Sequence, residues 1–196
     1  MKNTITQKGN SSSKTLELTQ MGVMIAIICV ATLVIKIPTV MGIGYVHLGD
    51  SMIFLAAILF GKKKGAVTAA FGMTLADLIS GYAYYMPFTF IIKGVMAFIA
   101  AGIAYRGDYN GKNMVNNLFA FIIAGIWMVF GYFVAKIILV KYVLFRTDSI
   151  KEAIALASAS VPNNIGQFVV GIIIALFLIK LLNGRLNIVN NKRIEL

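Results

Sequence analysis

The stretch ADLISGYAYYMPFTFIIKG, Ala76 to Gly94, decides how the chain is read: two apolar segments meet in it, and each holds one charge below its rim. An ionisable side chain at membrane depth is costly unless paired, and so marks a functional site by default. If Ser80 to Pro87 turn at the membrane surface, Asp77 and Lys93 lie about 5 to 9 Å below it, at about 1.5 Å of rise per residue. They are expected to face each other. Two roles stay open: a structural ion pair locking neighbouring helices, or a pair whose Lys93 also reaches into a ligand cavity. Tyr82, Tyr84 and Tyr85 crowd the turn, either as headgroup anchors or as an aromatic mouth.

Composition extends this reading to the whole chain. Of 196 residues 59% are hydrophobic and 13% charged, and the mean hydropathy is +0.86, outside the range of soluble domains of this length. The apolar runs have helical length rather than the ten-residue alternation of an outer-membrane barrel. The expectation is an all-α integral membrane protein, one domain over residues 1–196. The net charge of +11 does not point to nucleic acid, because the cations sit at segment ends rather than on one solvated face. They follow the positive-inside bias, with anionic lipid as their partner. One histidine and one cysteine, Cys29, exclude an intrachain disulfide and make a His/Cys metal site or a Ser/His/Asp set implausible. With no phosphate-cradling G-x-x-x-x-G-K-[ST] motif the chain does not hydrolyse ATP by itself, and no enzyme or cofactor reading follows.

Six helices with both ends cytoplasmic account for the apolar runs. Residues 1–17 read as a flexible cytoplasmic tail and Leu18 to Ile35 as the first span. Ile37 to Leu48 is apolar yet rich in Pro and Gly, and irregular backbone of that kind must be covered, so it reads as an outer lid between helices 1 and 2. Asp50 then stands as N-cap of a short second span ending at Phe60. Gly61-Lys62-Lys63-Lys64-Gly65 closes a cytoplasmic hairpin into Ala66 to Ile79, whose Ala66, Ala69, Ala70, Met73 and Ala76 form a small-residue packing stripe. Pro87 to Tyr105 is the fourth span, and Leu118 begins the fifth, whose end toward Phe145 is expected to project outside. Ser149-x-x-Glu152 has capping-box form and predicts a short outer helix. Val161 to about Leu182 is the sixth span. No internal repeat is visible, which argues against a carrier built of two halves.

The candidate binding groups all fall on the outer half: Tyr45, His47 and Asp50 in the lid, Tyr82 to Tyr85, Lys93, Asn163, Asn164 and Gln167. Asn163 and Gln167 stand one turn apart and share a face, with Asn164 about 100° away. Amides offer paired donors and acceptors to a heteroaromatic edge, or hydrogen-bond between helices. Lys93 is the one cation expected in this cavity and no arginine is, which speaks against a ligand with several carboxylates or phosphates. Pyridoxine, a hydroxymethylpyrimidine or riboflavin would suit it.

Taken in order, Gly44-Tyr-Val-His-Leu-Gly-Asp50, the Gly-Lys-Lys-Lys-Gly hairpin, Ala76-Asp77, Ser80-Gly81-Tyr82, Pro87-Phe88, Lys93-Gly94 and Pro162-Asn163-Asn164-x-x-Gln167 resemble the substrate-binding S components of energy-coupling factor (ECF) vitamin importers. The resemblance covers nearly the whole chain from span 1 to span 6. It implies a six-helix subunit of the bacterial plasma membrane that binds a vitamin or precursor from outside. It further implies partners, a transmembrane coupling subunit and two cytoplasmic ATPases, and a small-residue docking face on the first helix, here Gly22-x-x-x-Ala26. Two other functions are weighed against it: a stand-alone proton-coupled carrier using Asp77 and Lys93, and a non-transport membrane scaffold.

Overall fold

The structure is a computed structural model. It describes the backbone of residues 2–34, 36–38 and 45–194, and side chains for 14–34 and 47–182. Tyr45's side chain and residues 39–44 of the expected lid therefore lie outside the described residues. The elements are α1 (Lys2–Val34), β1 (Lys36–Pro38), β2 (Tyr45–His47), α2 (Gly49–Ile79), α3 (Met86–Ala104), α4 (Met114–Ile138), α5 (Ile150–Ser158) and α6 (Val161–Ile194). The backbone is helical from Lys2, so the polar segment expected as a tail continues the first helix.

Where a lid of irregular backbone is expected, β1 and β2 pair antiparallel, with Lys36 opposite His47 and Pro38 opposite Tyr45. The hairpin bonds its own peptide groups, which irregular backbone beside lipid leaves unmet.

α2 is two helices joined at Gly61, whose φ of 72° and ψ of −168° lie outside the helical region. Only a residue without Cβ takes that conformation cheaply. Beyond it the chain doubles back: Gly65 lies against Ala57 and Gly49 against Met73, two pairs symmetric about Gly61. The Gly-Lys-Lys-Lys-Gly hairpin is thus present, and Lys64 pairs across to Glu17 of α1 on the exposed surface.

The core is small-residue packing. Ala69, Ala70, Met73 and Ala76 of α2 are buried together with Ala97, Ala100, Ala101 and Ala104 of α3, which lets these helices approach closely where dispersion rather than the hydrophobic effect holds them. Large apolar side chains such as Phe71, Leu75, Ile91, Phe98, Ile126, Phe130, Ile173 and Phe177 point outward. Among the described residues four helical stretches are long and apolar enough to cross a membrane, Lys14–Val34, Ala83–Ala104, Met114–Val143 and Ile150–Leu182. An outward apolar belt on such helices suits lipid as solvent.

One cap assignment changes: Leu48 is the N-cap of α2, and Asp50 stands inside the first turn, fully buried. Ser149 is the N-cap of α5 as expected but makes no side-chain capping bond; Thr147 Oγ1 accepts from Ser149 N at 3.1 Å and donates to Glu152. At the other end of the molecule Asn113 caps α4, accepting from Asn116 N at 2.9 Å, so the helix starts one turn earlier than the apolar run suggests.

Candidate functional site

The site is built on close contact between the start of α2 and α6. A Cβ at Gly171 would stand 3.0 Å from Asp50 Cβ, so the two backbones nearly touch. One turn along α6, Gln167 thereby reaches the same carboxylate: its Nε2 donates to Asp50 Oδ2 at 2.8 Å. The other oxygen, Oδ1, accepts from Lys93 of α3, and both side chains of this ion pair are fully buried. Lys93 Nζ also lies 5.2 Å from the Tyr132 ring centroid of α4, in cation–π range. Four helical segments are joined by one charge pair and its satellites.

This corrects the expected Asp77–Lys93 pair: the lysine's ion pair is with Asp50. The reason is depth. Lys93 is seven residues into α3, on the order of 10 Å, whereas Asp77 is only two residues from the end of α2. Asp50, in the first turn of α2, is fully buried where α2 meets α6 at Gly171 and so reaches the ammonium.

Above the network opens a cavity of about 310 Å³, within the size range of small-molecule sites. Its walls include His47 from the hairpin, Met73 and Asp77 from α2, Tyr82, Tyr84, Tyr85 and Thr89 around the start of α3, Tyr132, Lys136, Val140, Leu144 and Arg146 from α4 and beyond, Ser160, and Asn164 and Gln167 from α6. The three tyrosines of the turn form one cluster, with ring centroids 5.2 to 6.5 Å apart. Thr89 Oγ1 and Tyr132 Oη are 3.2 Å apart, and Lys136 donates to Ser160 Oγ. His47 Nδ1 accepts from Gly49 N at 3.1 Å, tying the imidazole to the start of α2.

Of the residues expected from sequence, His47, Tyr82, Tyr85, Asn164 and Gln167 meet at this cavity. Asn163 does not line it; Asn164 and Gln167, three apart, share the inward face instead. Lys93 lies beneath the lining rather than in it. The cations that do line the cavity, Lys136 and Arg146, overturn the expectation that no arginine stands there.

They are present because α4 does not project away. Its last turn widens into a π turn, Leu139–Val143, where Leu144 N bonds back to Leu139 O at 2.8 Å, and Phe145 then takes a positive φ of 46°. The wide turn rotates less per residue, which keeps Tyr132, Lys136, Val140 and Leu144 on one side and folds Arg146 over the cavity. π turns of this kind recur at functional sites. The four-residue spacing from Tyr132 to Leu144 was the available signal in the sequence. A second hollow, between α4 and α6, is lined by Ile126, Val129, Phe130, Phe133, Val161, Ile165 and Phe168 only, with no polar side chain to orient a ligand.

Gly22 and Ala26 are exposed on α1 together with Val30, and a Cβ at Gly22 would meet nothing within 4 Å. The small-residue face points outward, away from the bundle.

Comparison with known proteins gives the fold its place. A solved structure described as the S component of a bacterial ECF transporter matches with a TM-score of 0.69, covering 88% of this chain and 98% of that one at 24% identity; at that identity the likeness shows the fold. An uncharacterized protein in a gap 3′ region of Pyrococcus woesei is 34% identical over 147 residues, 75% of this chain and 88% of that protein. The thiamine precursor transporter HmpT of Lactococcus lactis is 37% identical over 57 residues, 29% of this chain and 34% of that protein. The family model described as ECF-type riboflavin transporter, S component, matches residues 12–184. With nearly the whole chain matched, the resemblance read from its motifs holds: this protein belongs to the ECF-type riboflavin transporter S component family, a family of transporter subunits rather than enzymes.

Proposed function

We propose that the chain is the membrane-embedded substrate-binding subunit of an ATP-driven ECF importer, and that the cavity between Tyr82 to Tyr85, Tyr132, Asn164 and Gln167 takes a flat, hydroxylated heteroaromatic of riboflavin type. The observation that carries this is the convergence of aromatic faces and fixed polar groups on one cavity of about 310 Å³. Tyrosines supply stacking faces, while amides and the Thr89–Tyr132 hydroxyls orient a polar edge. The two halves of α2 complete a six-span bundle with both ends inside, in the plasma membrane. Arg146 is the exposed cation of the cavity lining and favours an electron-rich or anionic group at the mouth, whereas Lys136 is buried and donates to Ser160. Gly22 and Ala26 form the face that docks on a transmembrane coupling subunit, which couples to two cytoplasmic ATPases.

A second reading of the same site takes a hydroxymethylpyrimidine, favoured by the 57-residue match to a thiamine precursor transporter. The purified protein in detergent separates them. Riboflavin at 100 times its Kd stabilises by about 2.7 kcal/mol, read as a thermal shift and as quenching of flavin fluorescence. A shift with hydroxymethylpyrimidine and none with riboflavin replaces the first reading by the second. No shift with either, nor with pyridoxine, overturns both.

A further inference from the structure

Gln167 carries more information than a polar wall residue. It is 5% exposed yet lines the cavity, and its Nε2 is committed to Asp50 Oδ2. Asp50, bound through Oδ1 by the Lys93 ammonium, is a carboxylate and therefore only accepts hydrogen bonds. An amide set against such a group has one allowed orientation, NH2 toward the carboxylate. At Gly171, one turn from Gln167, the absence of a Cβ lets the α6 backbone come up against Asp50, which brings the amide within reach of the carboxylate. Among the described residues Gln167 Oε1 accepts no hydrogen bond, and it is not one of the buried side-chain oxygens that lack a partner, so this acceptor is open to the cavity that the residue lines.

We infer that the Asp50–Lys93 pair locks the Gln167 amide with Oε1 turned to the cavity, making Gln167 a reader of a ligand N–H or O–H donor and Asp50 and Lys93 its positioning residues. The inference rests on the riboflavin-type reading of the cavity and adds to it which edge of the ring lies inward. On a flavin the donor is the imide N3–H between its two carbonyls. A ligand with an acceptor or a methyl at that point leaves Oε1 unpaired and is rejected.

The test compares riboflavin with N3-methylriboflavin on the detergent-purified protein and on Asp50→Asn/Lys93→Met. Riboflavin is expected to bind the unaltered protein about 10- to 100-fold more tightly than its N3-methyl form. In the double variant the carboxylate is replaced by an amide that offers both a donor and an acceptor, so the Gln167 side chain is free to flip and the ratio is expected to fall toward one. Equal binding of both flavins to the unaltered protein overturns the inference. So does a ratio unchanged in the double variant, because the methyl is then excluded by shape alone. If neither flavin binds, the riboflavin reading falls, and the amide orientation is decided without ligand. The 15N side-chain amide signals of Gln167, assigned by their loss in Gln167→Met, are expected to show one slowly exchanging proton and to move in Asp50→Asn. Signals indifferent to Asp50→Asn overturn the inference on that arm.

Discussion

Asp50 and Lys93 form an ion pair with no part of either side chain exposed, between the first turn of one helix and the second turn of another. Two charges removed from water cost more than their attraction returns unless further hydrogen bonds complete them. Here Gln167 supplies a second contact to the carboxylate, and the Tyr132 ring lies near the ammonium.

Breaking one partner should therefore cost more than removing both. Asp50→Asn leaves a buried ammonium facing a neutral amide and is expected to destabilise by about 3 to 5 kcal/mol. Asp50→Asn/Lys93→Met is expected to recover part of that loss, measured by thermal or denaturant unfolding in detergent. Strictly additive losses would show that the pair contributes no coupling.

Glycine positions sort by geometry. Gly61→Ala places a Cβ at φ 72° and is expected to cost about 1 to 2 kcal/mol. Gly171→Ala presses a methyl against Asp50 Cβ and is expected to cost about 1 to 3 kcal/mol by overpacking, with weaker ligand binding because Gln167 moves with α6. Gly22→Ala meets open space inside α1 and is expected to stabilise by about 0.4 to 1 kcal/mol. Equal melting shifts in all three would refute the assignment of distinct roles.

The apolar runs and the Gly-Lys-Lys-Lys-Gly punctuation made the helices and the reversal legible, because length in lipid and a positive φ are both local demands on sequence. The partner of Lys93 was not legible. Asp77 is nearer in the chain, but the carboxylate that reaches Lys93 is the one buried by the contact of α2 with α6 at Gly171, a tertiary feature. Arg146 was missed for a related reason: a helix leaving the apolar region looks as if it projects into water, and only the π turn and the positive φ of Phe145 bring it back. Asn163 and Asn164 could be separated by angle, but the phase of α6 against the cavity is set by Gly171 on Asp50.

Docking and ligand binding are expected to separate genetically. Gly22 and Ala26 face outward, clear of the cavity. Gly22→Leu/Ala26→Leu should fold and bind riboflavin with unchanged affinity while losing co-purification with the coupling subunit. Loss of flavin binding instead would place these residues in the internal packing of α1.

The six-span topology makes a prediction that does not depend on any ligand. Lys63 and Asp148 are both exposed, Lys63 at the reversal of α2 and Asp148 just before α5. Basic residues are retained on the inner face, so on the proposed topology the Lys62 to Lys64 run is expected to hold the hairpin inside. One crossing by each of the second α2 half, α3 and α4 then brings Asp148 outside. The only native thiol, Cys29, is buried and contributes little background. In intact cells Lys63→Cys should resist an impermeant maleimide until the membrane is opened, whereas Asp148→Cys should react at once. If both positions label alike, one α2 half fails to cross and the hairpin is re-entrant. If the pattern is inverted, the cavity opens to the cytoplasm and uptake from outside through it is excluded.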